Sequence, residues 1–167
     1  MGKSETGMER IDKILNHDLF IKQLKKNEEA EKNRTFCHHD MGHFLDVARI
    51  GMIFNLKENL EIGEEMIYAA ALLHDIGKHL QYEKGIPHEQ ASAELAPRIL
   101  RDCGFDEKET DVIVTAILLH RTKGIASEPS LNGILYRADK ASRACFACKM
   151  EKECDWKADK KNLTIKW

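Results

Sequence analysis

Residues 68–80, which read YAAALLHDIGKHL, constrain the fold more than any other stretch of the chain. The run begins as an apolar helix built for burial, and it then places His74 directly beside Asp75. A polar group that is buried without a partner costs free energy. The fold must therefore supply hydrogen-bond partners or a bound cation to this pair at the end of its most apolar helix.

Helical periodicity of apolar residues continues along most of the chain, and no stretch shows the apolar–polar alternation that predicts a strand. Gly77 lies where a signal for the end of a helix is expected, and Asp106 lies where a signal for the start of a helix is expected. The 167 residues, of which 43% are hydrophobic, are enough for one substantial core. We therefore predict a single compact all-α domain. The predicted helices cover residues 8–32, 40–55, 64–76, 88–102, 107–120 and 130–144.

The chain divides by composition into three parts. Residues 1–35 are predicted to form a polar leader and a helix that packs on the core. Residues 36–144 form the main metal-binding domain, and residues 145–167 form a short cysteine-containing tail. Gly2 in MGKSET fits the N-myristoylation pattern, but no second membrane signal accompanies it, so a polar leader is the favoured interpretation.

Charge and hydropathy exclude several classes of partner. The net charge of −2 provides no basic stripe, so we expect no nucleic-acid partner. No apolar run approaches the ~20 residues that span a bilayer. Residues 1–13 lack the apolar core of a signal peptide. These features predict a cytoplasmic protein without a membrane partner.

Four predicted helices each place one imidazole or carboxylate on or beside an apolar face. Burial of these groups one by one is costly, whereas a shared cation compensates all of them together. The alternative is that each group makes its own hydrogen bond to a backbone carbonyl. As a set, the four residues favour a metal site. They are His43, on the stripe of Val47 and Ile50; His74, after residues 69–73; His120, after residues 117–119; and Asp139, after residues 134–138.

The amino-acid sequence around these positions resembles the HD superfamily of metal-dependent phosphohydrolases. HFLDVA at residues 43–48, AALLHDIGK at residues 70–78 and ILYRADK at residues 134–140 occur in the order of that superfamily. The resemblance extends over about residues 36–142. It implies an α-helical domain that holds a divalent metal. The implied ligands are His43, His74, Asp75 and Asp139.

Two further segments resemble those of superfamily members with two metals. HEQASAELA begins at His88, and ILLHRTKG contains His120. The resemblance implies that Asp75 bridges two ions, with His88 and His120 on the second ion and the remaining ligands on the first. A mononuclear site with only the first four ligands stays open. Imidazole and carboxylate ligands suit Fe, Mn, Zn or Co.

The complete ligand pattern most resembles the bacterial HD hydrolases that cleave diadenosine tetraphosphate symmetrically. This implies a nucleotide substrate, a metal-bound water as nucleophile, and catalytic roles for Asp75 and Lys78. Lys78, Arg121 and Lys123 are expected to contact substrate phosphates, with His39 at the rim of the site. Solvated surface charge is the alternative for the three cations. A nucleoside monophosphate phosphatase, a phosphodiesterase or a non-catalytic metal or nucleotide sensor are the alternative functions.

The tail carries three cysteines in the stretch CFACKMEKECDW. Cys145 and Cys148 have zinc-knuckle spacing, and Cys154 follows six residues later. A closed zinc site needs four ligands, so Cys37, Cys103 or a histidine would have to complete it. Three cysteines with one foreign ligand also suit an iron–sulfur cluster. Reduced thiols that help to dock the tail are the favoured interpretation, with structural Zn or Fe–S as the alternative.

Overall fold

The computed structural model describes residues 7–167, and Gly2, with its myristoylation-like pattern, lies outside that range. Within it the chain is entirely helical, without strands, and the all-α prediction is confirmed. None of the described helices is long and apolar enough to cross a bilayer. The helices are α1 (Glu9–Leu15), α2 (Asp18–Glu31), α3 (Met41–Glu58), α4 (Glu64–Leu73), α5 (Lys78–Lys84), α6 (His88–Asp102), α7 (Glu107–Leu119) and α8 (Leu131–Ala141), with short 3-10 turns at Ile125–Ser127 and Cys145–Ala147.

The predicted helix over residues 8–32 is wrong in one respect, because it is two helices. His17 has extended backbone angles, and its Nδ1 accepts a hydrogen bond of 3.1 Å from the backbone N–H of Leu19. His17 therefore acts as the N-cap of α2 and separates it from α1. The predicted start of α3 is confirmed, since the Asp40 side chain accepts from the backbone N–H of His43 at 3.0 Å.

The helix predicted over residues 64–76 ends earlier, at Leu73, and Gly77 is not its end signal. The chain instead turns through residues 74–77, and Gly77 is the N-cap of α5, a helix that the sequence pattern did not predict. A Cβ atom on Gly77 would lie 2.8 Å from backbone atoms of Ala91 and Ser92. The Gly77 N–H also donates to Ser92 Oγ at 3.0 Å. Glycine is therefore needed here for the close approach of α6.

Helix α4 forms the centre of the core. Residues 69–73 are at most 1% exposed, and the helix packs against α1, α3, α6, α7 and α8. The neighbouring helices contribute large buried side chains such as Phe44 and Ile117. Because α4 is surrounded on all sides, the residue that follows it, His74, is fully buried. The core thus places the polar pair at the centre of the domain.

The tail runs back over two core helices. Asn162 Nδ2 donates to the backbone carbonyls of Lys140 and Arg143 at 2.8 and 2.9 Å. The Trp167 ring packs edge-on against Phe54 of α3, with 4.5 Å between ring centroids. The tail therefore contacts α8 and α3 on the side of the domain that carries His43 and Asp139.

Candidate metal centre

Six histidine and aspartate side chains converge beside the C-terminal end of α4. The structure brings together all six side chains that the sequence analysis predicted as metal ligands. The histidines and Asp75 are at most 7% exposed, and the side chain of Asp139 is 21% exposed. Each comes from a different helix or helix end, apart from the adjacent pair. The positions are His43 in α3, His74 and Asp75 after α4, His88 at the start of α6, His120 after α7 and Asp139 in α8.

The first group of ligand atoms consists of two imidazole nitrogens and two carboxylate oxygens. Asp75 Oδ2 lies 3.0 Å from His74 Nε2 and 3.4 Å from His43 Nε2. Asp139 Oδ1 lies 3.2 Å from His43 Nε2 and 3.4 Å from His74 Nε2. These four side chains offer ligand atoms that all lie within 4.8 Å of one another. Such a set can hold one metal ion with positions left for water or substrate.

The second group lies on the other oxygen of Asp75. Asp75 Oδ1 is 3.2 Å from His88 Nε2 and 3.5 Å from His120 Nε2. The two imidazole nitrogens are 3.2 Å apart. The three side chains again offer ligand atoms within 4.8 Å of one another. Asp75 therefore presents one oxygen to each of two ligand groups.

Hydrogen bonds from Nδ1 fix the orientation of the two fully buried histidines. His74 Nδ1 lies 2.6 Å from the backbone carbonyl of Ala71, and His120 Nδ1 lies 2.6 Å from that of Ile117. A carbonyl oxygen only accepts, so Nδ1 carries a proton, and Nε2 is the nitrogen that faces the cluster and could bind a metal. Each of these two histidines thus makes a hydrogen bond to a backbone carbonyl, as the alternative interpretation expected, but it does so with Nδ1. Nε2 remains available to a metal.

His43 and His88 are oriented by side chains that the sequence analysis did not identify. His88 Nδ1 lies 2.7 Å from Gln81 Oε1 on α5. Ser142 Oγ donates to the carbonyl of Asp139 at 2.6 Å and lies 3.3 Å from His43 Nδ1, so it accepts from that nitrogen. In both rings Nε2 again faces the cluster. No local sequence signal marks Gln81 or Ser142, because each acts through a tertiary contact.

Unpaired buried atoms show that the residues fit a cation. Among the described residues, His43 Nε2, His74 Nε2 and Asp75 Oδ1 are buried and make no hydrogen bond. Burial by itself would lower the pKa of His74, but the Asp75 and Asp139 carboxylates raise it to about 10. Burial lowers the pKa of His88 to about 3, so this ring is neutral and can act as a ligand. A site with two buried carboxylates and free imidazole nitrogens favours bound positive charge.

His39 lies beside the cluster and is held by a buried carboxylate that the sequence analysis missed. His39 Nε2 is 4.0 Å from Asp75 Oδ2, and its Nδ1 is 2.5 Å from Glu31 Oε2. The Tyr82 hydroxyl donates to the same oxygen at 2.7 Å. Burial raises the pKa of Glu31, but the hydrogen bonds and charge of His39 and the hydrogen bond from Tyr82 together outweigh burial and lower the pKa to about 2. Glu31 is therefore ionised and fixes the His39 ring.

The three basic side chains predicted to contact substrate phosphates, Lys78, Arg121 and Lys123, line a cavity of about 1400 Å³ that contains the cluster. Lys78 Nζ lies 3.3 Å from His88 Nδ1, and burial lowers the pKa of this lysine. Arg121 lies further out, with Nη1 3.6 Å from Glu89 Oε2, and Lys123 is also on the wall. Eleven Lys or Arg residues line the cavity against eight Asp or Glu, and two of the eight are Asp75 and Asp139. The cavity beyond the cluster therefore favours anions.

Comparison with known proteins agrees with this geometry. Residues 40–144 match the HD domain family. The chain is 47% identical over 158 residues to an uncharacterized protein of Clostridium beijerinckii, with coverage of 95% of this chain and 99% of that protein. It is 25% identical over 142 residues to Ribonuclease Y 1 of Pediococcus pentosaceus, with coverage of 84% of this chain. The chain spans only 25% of that ribonuclease.

A solved structure shows the same arrangement of helices. The crystal structure of a predicted HD superfamily hydrolase from an uncultured Thermotogales bacterium superposes with a TM-score of 0.60 and 26% sequence identity. The match covers 86% of this chain and 81% of that one. The family match contains the first-group ligands and both histidines of the second group. The chain therefore belongs to the HD domain family of metal-dependent phosphohydrolases.

Proposed function

We propose that this protein is a dinuclear phosphohydrolase that cleaves a phosphate ester or anhydride of a nucleotide, with a dinucleoside polyphosphate as preferred substrate. The position of Asp75 carries the proposal, because its two oxygens face two separate ligand groups. A carboxylate can bridge two cations in this way. Fe, Mn, Zn and Co suit the imidazole and carboxylate ligands of both groups.

The protein side chains have separable roles in this proposal. The two ligand groups would hold divalent ions, which would supply positive charge for a phosphate and lower the pKa of a bound water so that hydroxide is available near neutral pH. The Nδ1 hydrogen bonds hold the imidazole rings rigid, so little reorganisation accompanies the reaction. Lys78 is half-buried beside His88 and is placed to hold a phosphate oxygen as a point charge. Glu31 holds His39 at the edge of the cluster, where the ring is placed to hydrogen-bond substrate.

The size and lining of the cavity support a nucleotide with several phosphates. A volume of about 1400 Å³ exceeds the roughly 300–1,000 Å³ of most small-ligand pockets. The excess of basic residues suits a polyphosphate, and aromatic rings on the wall suit stacking of bases. These rings belong to Phe36, Tyr136, Trp156 and Trp167.

Cleavage of RNA phosphodiester bonds is the second candidate. The similarity to Ribonuclease Y proteins supports it, although the chain spans about a quarter of their length. The basic cavity suits a short oligonucleotide. The net charge of −2 argues against an extended nucleic-acid surface, which is why a free nucleotide remains our first choice.

A turnover panel tests both candidates. The purified protein is loaded with Mn(II), Co(II), Zn(II) or anaerobic Fe(II) and assayed with diadenosine tetraphosphate, AMP and a short oligoribonucleotide. We expect the highest kcat/KM for diadenosine tetraphosphate, with two equal nucleotide products, and no turnover by His74→Ala. A higher kcat/KM for the oligoribonucleotide would support the second candidate. No turnover of any phosphate by the metal-loaded protein would contradict both and favour a sensor.

A further inference from the structure

The tail after α8 has defined turns but almost no core of its own. Of residues 145–167, only Asn162 is buried. Backbone hydrogen bonds nevertheless close successive turns, including Cys148 N–H to Cys145 O at 3.1 Å and Cys154 N–H to Met150 O at 3.0 Å. Segments that bury so little apolar surface usually depend on a disulfide or a structural metal. The tail therefore needs another source of stability.

Four free cysteines lie around the tail and line the same cavity. Cys37 belongs to the loop before α3, and Arg143 holds that loop by donating to the carbonyl of His38 at 2.8 Å. At the other end, the Phe146 N–H donates to the Asn162 carbonyl at 2.9 Å and folds the tail back on itself. The four are Cys37, Cys145, Cys148 and Cys154.

Nearby groups shift the pKa of Cys37 and of Lys161, a lysine of the tail. Burial raises the pKa of Cys37, Arg143 acts to lower it, and the three tail cysteines raise it further. A hydrogen bond from Lys161 to Glu151 raises the pKa of this lysine, with contributions from Cys154 and Cys145. In the structure, the cysteines of the two distant segments line one cavity together with Arg143 and Lys161.

We propose that Cys37, Cys145, Cys148 and Cys154 bind one zinc ion in a closed tetrathiolate site, separate from the histidine–aspartate centre. Four thiolates are a common ligand set for structural zinc. The turn between Cys145 and Cys148 gives the first pair the spacing of a zinc knuckle. Arg143 and Lys161 offset part of the negative charge that four thiolates bring.

The fourth ligand is Cys37, and not Cys103. Cys103 caps the end of α6 and is 1% exposed within the hydrophobic core. Among residues 7–167, the groups with ligand atoms already within 4.8 Å of one another are the two histidine–carboxylate groups. Zinc binding would therefore require the four thiols to rotate towards one another, on backbone turns that are already formed.

A zinc ion at this position would connect the tail to the wall of the active cavity. Cys37 precedes His39 by two residues and Asp40, the N-cap of α3, by three. The zinc site would thus hold the segment that leads to His39 and His43 without contacting the ions of the centre itself. The proposal holds whichever phosphate the protein cleaves.

Metal analysis of the full chain, purified under reducing conditions, tests the proposal. We expect the wild type to release one zinc per chain when a mercurial reagent modifies its thiols. Cys37→Ala and Cys148→Ala should each contain one zinc fewer than the wild type. Cys103→Ala is the matched control and should keep the wild-type content. Equal zinc content in Cys37→Ala and wild type would overturn the assignment.

Cobalt substitution provides a test that needs no variant. Co(II) bound by thiolates absorbs strongly through sulfur-to-metal charge transfer, whereas imidazole and carboxylate ligands give only weak bands. We expect this absorption in wild-type protein to rise to one equivalent of thiolate-bound Co(II) and to disappear when zinc is added. Absence of the absorption, or iron with acid-labile sulfide in place of zinc, would overturn the proposal.

Discussion

Asp75 Oδ1 lies 3.2 Å from His88 Nε2, while Oδ2 of the same carboxylate faces His74 at 3.0 Å. One side chain therefore belongs to both ligand groups of the centre. Loss of a ligand from one group should leave the other group intact, and loss of Asp75 should damage both. This relationship yields the first prediction.

Substitution of single ligands should change the metal content stepwise. Wild-type protein loaded with Mn(II), which thiolates bind poorly, is expected to hold two ions per chain. His120→Ala should hold one ion, because its second group loses a ligand while the first group remains. Asp75→Ala should hold none. Elemental analysis after gel filtration measures the content.

His17→Ala is the matched control for these variants. The His17 ring contacts Asp102 at 2.8 Å and takes no part in the centre. The metal content of His17→Ala should therefore equal that of the wild type. A His120→Ala protein with two ions would show that His120 is not a required ligand, and an Asp75→Ala protein that keeps one ion would disprove the bridging role of Asp75. A wild type with one ion would support a mononuclear centre.

Removal of metal should lower the thermal stability. The buried carboxylates and unpaired imidazole nitrogens make the centre unfavourable without a cation. One ion at about 100 times its Kd stabilises the folded state by about 2.7 kcal/mol. For a chain of this size that corresponds to a rise in Tm of roughly 5–10 °C. Thermal melts of Mn(II)-loaded and chelated protein measure it, and Asp75→Ala should show no such difference.

Gly77→Ala should destabilise the fold and weaken the second ligand group. The added methyl would lie 2.8 Å from the backbone of Ala91 and Ser92, so α6 and its His88 must shift. Overpacking of this kind costs about 1–3 kcal/mol. Urea unfolding measures the loss. The control is Gly42→Ala, whose methyl would meet Asp40 Oδ1 at an ordinary 3.4 Å. Equal stability of the two variants would contradict the packing argument.

Lys78→Met should impair turnover and leave the metal content unchanged. The methionine keeps most of the length of the unbranched side chain but removes the charge proposed to hold a phosphate oxygen. Loss of one such contact lowers kcat by about 10²–10³-fold. Lys84→Met, at the exposed end of the same helix, is the control and should retain full activity. Unchanged kcat in Lys78→Met would show that Lys78 does not hold a substrate phosphate and is a solvated surface charge.

Glu31→Gln should remove a pH-dependent part of the stability. The folded-state pKa of Glu31 is about 2, below its ordinary value of 4.5, because the interactions with His39 and Tyr82 together outweigh the effect of burial. The ionised carboxylate therefore stabilises the fold above about pH 4.5, and this contribution is lost as the pH falls towards 2. We expect the difference in unfolding free energy between wild type and Glu31→Gln to shrink over that interval.

Urea titrations of chelated protein at several pH values measure this difference. Glu153→Gln, at an exposed position in the tail, corrects for the loss of one negative charge. A difference that stays constant or grows with acidification would show that Glu31 does not stabilise the fold through its charge.

Short and polar elements were the hardest to predict. Helix α5 reads KHLQYEK and has no apolar stripe, yet it forms because tertiary contacts bury His79 within it. Its backbone is tied to α2, since the His79 N–H donates to Asn27 Oδ1 at 2.8 Å. The break between α1 and α2 was missed for a related reason, because His17 is not among the usual N-cap residues.

The resemblance to the HD superfamily added Asp75 and His88, whereas helical periodicity by itself predicted most helices around the core and indicated His43, His74, His120 and Asp139. These signals act over one or two helical turns, so a single sequence contains them. Only the tertiary structure decided which oxygen of Asp75 faces which histidine, and that Gln81, Ser142 and Glu31 orient the rings. His43 and Ser142 are 99 residues apart in the chain. Their contact depends on how α3 and α8 pack, which local residue patterns do not specify.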